Sequence, residues 1–206
     1  MNIKILLSIT VYLYLLCTNL SAGEYLSIKK EWEGVQREYL IYLPSSYKIN
    51  KEKSYPIIFG LHGYMGTASG FQKETTKGMN LLAEKENIII VYPQGSHFYS
   101  LPQDKSSFVS SWNDLVSNKA QGLGKPRKCS LDRVNYPKPP ECSNFTFCAW
   151  TSCYDDLGFL KSVIEEVSSG YRVDKKRRYM IGMSNGGAMT YRFSCKYPEM
   201  LTASIA

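Results

Sequence analysis

A serine flanked by glycines two residues away on each side, at the point where a strand-like run gives way to a helix-like one, leaves the backbone very few paths. Gly182-Met183-Ser184-Asn185-Gly186 lies between the apolar run Tyr179-Met180-Ile181 and the helix-compatible run from Gly187 to Tyr197. A strand-to-helix turn of this kind is so tight that a Cβ at either glycine would meet backbone, and the serine hydroxyl is left standing above the sheet. A hydroxyl presented this way suits nucleophilic attack on an acyl carbon. Ser184 is therefore the candidate catalytic residue, and Gly182 and Gly186 are the glycines that permit its pose.

A second segment supplies what such a serine needs. Pro56-Ile57-Ile58-Phe59-Gly60-Leu61 reads as a buried strand and runs directly into His62-Gly63-Tyr64-Met65-Gly66. A tetrahedral acyl intermediate requires preorganised N–H donors. The natural pair is the amide after the nucleophile, Asn185, and one from the loop after the third core strand, Tyr64. Taken alone, the loop reads equally well as an ordinary glycine-rich turn. It is the occurrence of both segments in this order that favours an oxyanion hole.

With these segments the chain resembles the secreted α/β-hydrolases that include polyhydroxybutyrate depolymerase-like and feruloyl esterase-like enzymes. Five segments carry the likeness: Arg37 to Pro44, Leu61-His62-Gly63, Val91-Tyr92-Pro93-Gln94-Gly95, Asp155 to Phe159, and Val173-Asp174 through Arg177 to the Gly182–Ala188 elbow. The resemblance implies an α/β-hydrolase three-layer sandwich with a mostly parallel central sheet. It also implies a secreted or periplasmic serine esterase that needs no cofactor and works through an acyl-enzyme at Ser184. Its partner would be an ester-bearing polymer, either a polyhydroxyalkanoate or a feruloylated or acetylated polysaccharide. His62 takes a structural role in this likeness.

The chain departs from the family pattern after the nucleophile. The triad of this fold runs serine, acid, histidine along the chain, yet none of the twenty-two residues after Ser184 is Asp or His. A serine hydroxyl needs an adjacent base held by a third group. His62 and His97 both lie upstream, in the wrong order for that role, and Glu199 reads as a surface acid. Leu201 to Ala206 reads as a strand cut short. The expectation is an N-terminal part of a longer protein, truncated after the elbow helix and inactive by itself. The rival from another class is a secreted, non-catalytic pseudo-hydrolase that binds polysaccharide or polyester.

Residues 1–23 carry Lys4, an apolar stretch from Ile5 to Cys17 and a polar patch ending in Ser21-Ala22-Gly23, the pattern of a secretory signal peptide. No other segment is apolar enough to span a bilayer, which takes about 20 residues. The hydrolase domain would occupy 24–206. Removal of the leader leaves Cys129, Cys142, Cys148, Cys153 and Cys195, an odd number, which favours disulfides with one partner elsewhere. Cys195 on the elbow helix reads alternatively as a small buried hydrophobe. No C-x-x-C pair and no accompanying histidine point to a metal.

The regular alternation of strand and helix fails from about 96 to 154, a polar, cysteine-bearing insertion broken by Gly122, Gly124, Pro126, Pro137, Pro139 and Pro140. It leaves the carboxyl end of a core strand, where open α/β sheets place their ligands. Trp112 and Trp150 are the possible substrate contacts there, with packing of the stapled loop as the alternative role. Asn144-Phe145-Thr146 fits a glycosylation sequon. Elsewhere the pattern predicts strands at Tyr39 to Leu43 and Ile88 to Tyr92. A helix is expected over Phe71 to Lys85 with Met79, Leu82 and Ala83 toward the sheet, and another over Asp155 to Val167 with Leu157, Leu160, Ile164 and Val167 on one face and Asp155 and Asp156 as cap and first-turn charge. The net charge of +7 and the run Lys175-Lys176-Arg177-Arg178 carry no nucleic-acid signature and read as solvated charge.

Overall fold

The computed structural model describes residues 23–75, 77–99, 108–114, 129–130, 151–152 and 154–206. The leader, Trp150 and the sequon at Asn144 lie outside the described residues, as do Cys142, Cys148 and Cys153.

Six strands form one sheet in the spatial order β1 (Glu24–Trp32), β2 (Val35–Leu43), β4 (Ile89–Pro93), β3 (Tyr55–Leu61), β9 (Val173–Gly182), β10 (Ala203–Ile205). β1 and β2 form an antiparallel hairpin and β2 runs antiparallel to β4, whereas β4, β3, β9 and β10 are mutually parallel. The all-apolar Ile89-Ile90-Val91-Tyr92 of β4 is buried throughout. A strand covered on both faces has no polar side to show.

After the short helix α1 (Ser46–Ile49), two helical layers provide that cover. On one face α2 (Ala68–Glu74) and α3 (Gly78–Glu86) bury Ala68, Phe71, Met79 and Ala83 against Ile90 and Tyr92. On the other, α4 (Asp156–Gly170) and α5 (Asn185–Lys196) bury Leu157, Leu160, Ile164, Val167, Met189 and Phe193 against Ile41, Ile57, Phe59 and Met180. This is the three-layer α/β sandwich expected, and α4 presents the apolar face read from its spacing. Its cap is also as expected, since the Asp155 carboxylate accepts from the Gly158 N–H at 2.9 Å.

The predicted helix over Phe71 to Lys85 is instead two. Lys77 sits at φ +58°, in the left-handed region, and the chain restarts at Gly78 with a new helical phase. That phase keeps Met79 and Ala83 inside but leaves Leu82 41% exposed. The basic run interrupts the β3–β9 ladder. The β3–β9 register jumps from Tyr55↔Val173 to Ile57↔Arg178, so residues 174–177 bulge from the ladder. Asp174 and Arg177 pair on the exposed surface at 2.7 Å.

The start of the irregular stretch holds an antiparallel hairpin of β5 (Ser96–Tyr99) and β6 (Phe108–Ser111), and β7 (Cys129–Ser130) pairs in parallel with β8 (Thr151–Ser152). Among the described cysteines Cys195 is a free, exposed thiol, so it is not the buried hydrophobe its helix position allowed. No helix among the described residues is long and apolar enough to cross a membrane.

Candidate active site

Parallel strands that end level with each other bring their following loops together. Leu61, the last residue of β3, pairs with Gly182, the last of β9, so the loop 62–66 and the serine turn leave the sheet side by side. The Met183 amide donates to the Leu61 carbonyl at 3.2 Å and ties the two exits.

Ser184 adopts φ +53° and ψ −121°, a conformation that L-residues rarely hold, and its side chain is exposed. The turn needs both glycines. A Cβ on Gly182 would lie 2.2 Å from the Gly186 carbonyl oxygen, and one on Gly186 would lie 2.4 Å from the carbonyl oxygens of both Leu61 and His62. Asn185 is the first helical residue of α5, a position whose backbone N–H has no intrahelical acceptor and points out of the helix end. Gly63 faces the serine: a Cβ there would stand 3.4 Å from the Ser184 Cβ. Tyr64 follows in the same loop, half-buried, and Met65 occupies the left-handed region at φ +64°. The structure thus brings Ser184, Asn185, Gly182, Gly186 and the Tyr64 loop together at the carboxyl edge of the sheet.

That loop is held from several sides. Met65 N–H donates to the Ser110 carbonyl at 2.9 Å, and the Ser110 hydroxyl bonds the Gly66 carbonyl. Trp112 Nε1–H donates to the His62 carbonyl at 2.9 Å. The Asn185 side chain then clamps the segment after β6. Its Oδ1 accepts from the Trp112 N–H at 2.8 Å, and its Nδ2 donates to the Trp112 carbonyl at 3.2 Å and to the Asp114 carboxylate at 2.6 Å. Sequence reasoning selected Asn185 for its backbone amide alone. The role of its side chain depends on residues 71 to 73 positions away, and nothing in the local pattern signals it.

Trp112, named from the sequence as a possible substrate contact, is corrected by its burial. It is 0% exposed and packs on the His62 ring at a centroid distance of 5.1 Å. Its surface is consumed in bracing the loop and none is left to stack on a ligand. His62 is likewise interior. Its Nε2 accepts from the Gly95 N–H at 3.0 Å, which fixes the proton on Nδ1 and makes Nδ1–H the donor to the Gly63 carbonyl at 2.7 Å. Burial lowers its pKa to about 4. A neutral imidazole with both nitrogens engaged cannot take a proton from Ser184, in agreement with the structural role implied for it. His97 lies on β5 at the rim of a separate depression beside Gly95.

A buried ion pair anchors the same region. Arg37 Nη2 donates to Asp156 Oδ1 at 2.6 Å and to the Gln94 carbonyl at 3.1 Å, the two side chains being 2% and 0% exposed. The guanidinium lies 4.0 Å from the centroid of the Phe159 ring. Asp156 Oδ2 accepts from the Asn113 N–H at 2.7 Å. The first-turn charge read from the sequence is therefore an interior anchor joining β2, α4 and the segment that Asn185 holds. Among the described residues no cluster of His, Cys, Asp and Glu is arranged to hold a metal.

No family model matches the chain. Over 174 residues, 84% of this chain, it is 23% identical to a bifunctional acetylxylan esterase/xylanase from Neocallimastix patriciarum, of which the match spans 18%. Among solved structures it is similar to a ferulic acid esterase, with TM-score 0.54 and 19% identity over 89% of this chain and 58% of that one. It is also similar to an acetyl xylan esterase from Aspergillus awamori, with TM-score 0.56 and 16% identity over 88% and 50%. A third likeness is to an S-formylglutathione hydrolase from Staphylococcus aureus, with TM-score 0.53 and 13% identity over 88% and 55%. The fold is that of the α/β-hydrolase esterases. The chain spans about half the length of these structures, and less than a fifth of the curated relative.

Proposed function

We propose that this chain carries the nucleophile and oxyanion hole of an exported serine esterase acting on an ester-bearing polysaccharide. Ser184 Oγ attacks the ester carbonyl carbon as its proton passes to a base, and the carbonyl oxygen takes up the negative charge beside the amides of Asn185 and Tyr64; the tetrahedral intermediate collapses by losing the protonated alcohol, and water hydrolyses the acyl-enzyme that remains, releasing the acid and Ser184. The single observation that carries this reading is the strained, exposed pose of Ser184 at φ +53° against Gly63. Strain of this kind costs on the order of 1–3 kcal/mol and persists where surrounding structure enforces it, as Gly182 and Gly186 do here. The polysaccharide is supported by the acetylxylan and ferulic acid esterases to which the chain is similar. In this reading His62 is not the base, because it is neutral with both ring nitrogens engaged.

The test is a fluorophosphonate probe on the full-length protein, alongside hydrolysis of a feruloyl ester and an acetylated xylan. Labelling abolished by Ser184→Ala, with turnover of either ester, is the expected result. A folded protein that binds xylan but neither labels nor hydrolyses would overturn the reading in favour of a binding protein.

A further inference from the structure

A depression of about 330 Å³ opens beside the oxyanion loop, lined by Lys29, Gln36, Arg37, Glu38, Gln94, Gly95 and His97. Its size lies at the lower end of what holds a small ligand or one unit of a larger one. Its position follows from the topology. β2 runs antiparallel to β4, so the start of β2 meets the carboxyl end of β4, and the Gln94 N–H donates to the Glu38 carbonyl at 3.0 Å. β4 lies two strands from β9 in the sheet. At about 4.8 Å per strand this places its near wall, at the end of β4, roughly 10 Å from the strand that carries the serine, and its far wall, on β1, roughly 19 Å away, on the same edge. One imidazole separates the two places: His62 bonds Gly95 in the wall of the depression through Nε2 and Gly63 in the oxyanion loop through Nδ1.

The chemistry of the lining selects the occupant. Glu38 pairs directly across from Lys29 in the β1–β2 ladder, so a carboxylate and an ammonium stand at neighbouring positions, with the Gln36 amide two residues along. Gln94 forms a fixed wall, its Oε1 accepting from the Ala68 N–H at 2.8 Å and its Nε2 donating to the Gly95 carbonyl at 3.1 Å. A lining that offers both donors and acceptors matches a group that does the same. Sugar hydroxyls donate and accept; a polyester chain has only acceptor oxygens and offers nothing to a carboxylate.

We propose that this depression is a subsite for an uncharged, hydroxyl-rich saccharide unit of the substrate's alcohol portion, held roughly 10–19 Å along the sheet edge from the ester under attack at Ser184. The inference rests on the esterase reading and sharpens it, since it gives the polysaccharide a binding place on the β1–β2 side of the serine. Lys29 and Gln36 are exposed on the outer hairpin, so replacing them leaves the core untouched.

The experiment is calorimetric titration of an unesterified neutral xylo-oligosaccharide into the full-length protein carrying Ser184→Ala, with and without the added pair Lys29→Ala/Gln36→Ala. The expected result is a Kd at least tenfold weaker in the pair variant, with no binding of a hydroxybutyrate oligomer. Equal Kd values, absence of oligosaccharide binding, or preference for the hydroxybutyrate oligomer would each overturn the proposal. So would a uronate-bearing oligosaccharide that binds more tightly than the neutral one in a Lys29-dependent way. Fluorophosphonate labelling of the wild-type full-length protein is measured alongside, and is expected to be lost in Ser184→Ala. That measurement judges the esterase reading separately, because it reports on Ser184 whatever the subsite binds.

Discussion

Replacing Asp156 by Ala strands the Arg37 charge in the protein interior. In the wild type the guanidinium has the Asp156 carboxylate at 2.6 Å, the Gln94 carbonyl at 3.1 Å and the Phe159 ring beneath it, at 2% side-chain exposure. Removing one member of a buried pair costs about 3–5 kcal/mol, because the remaining charge keeps its desolvation penalty and loses its compensation. The Asn113 N–H, which donates to Asp156 Oδ2 at 2.7 Å, loses its acceptor as well. A loss of about 4 kcal/mol out of a typical 5–15 kcal/mol would lower a urea midpoint by roughly 2 M. The assay is urea unfolding of the full-length protein followed by tryptophan fluorescence. The neighbouring Asp155→Ala, which removes only a helix cap, should cost about 1 kcal/mol. The double variant Arg37→Met/Asp156→Leu should recover most of the Asp156→Ala loss by removing both charges. A loss below about 1 kcal/mol for Asp156→Ala would refute the reasoning, since it would mean that water reaches the guanidinium.

Other consequences are open to direct measurement. Gly186→Ala puts a methyl 2.4 Å from two carbonyl oxygens at the end of β3; it should cost about 1–3 kcal/mol or more and slow fluorophosphonate labelling at least tenfold, and wild-type labelling would count against the elbow geometry. Asn185→Ala keeps the backbone amide but removes the clamp on Trp112 and Asp114. Its labelling rate should fall, with Asn185→Gln no better and Asn185→Asp failing beside the Asp114 carboxylate. His62 has its pKa lowered from 6.5 to about 4, so between these values the unfolded chain binds a proton that the folded one does not. Its contribution to stability is therefore present above about pH 6.5 and lost as pH falls toward 4, on the order of 3 kcal/mol in all. A urea midpoint that is flat from pH 6.5 to 5 would contradict this. Cys195, free and exposed, should react with a maleimide without denaturant, and Cys195→Ser should leave the midpoint unchanged.

The serine turn was legible because its code is local. Two glycines, the serine and the flanking periodicities all fall within a short stretch, and the steric reason for each glycine can be stated without knowing the rest of the fold. The strand β4 and the apolar face of α4 were legible for the same reason, since a continuous apolar run and a period of 3.6 are both local properties. What escaped was whatever depends on distant partners. Asp156 looks like any first-turn acid until Arg37, 119 residues away, is placed against it. Trp112 looks like an exposed aromatic in a polar stretch until its indole N–H is found on the His62 carbonyl. The break at Lys77 shows a different limit, because a lysine in the left-handed region carries no sequence mark of its own.

The amide side chain of Asn185 grips the chain at Trp112 and Asp114, where the long excursion toward Tyr154 departs. That knot ties the segment after β6 to the nucleophile's own helix, so an engineer who rewrites the sequence after Asp114 starts from a point already moored to the reacting centre.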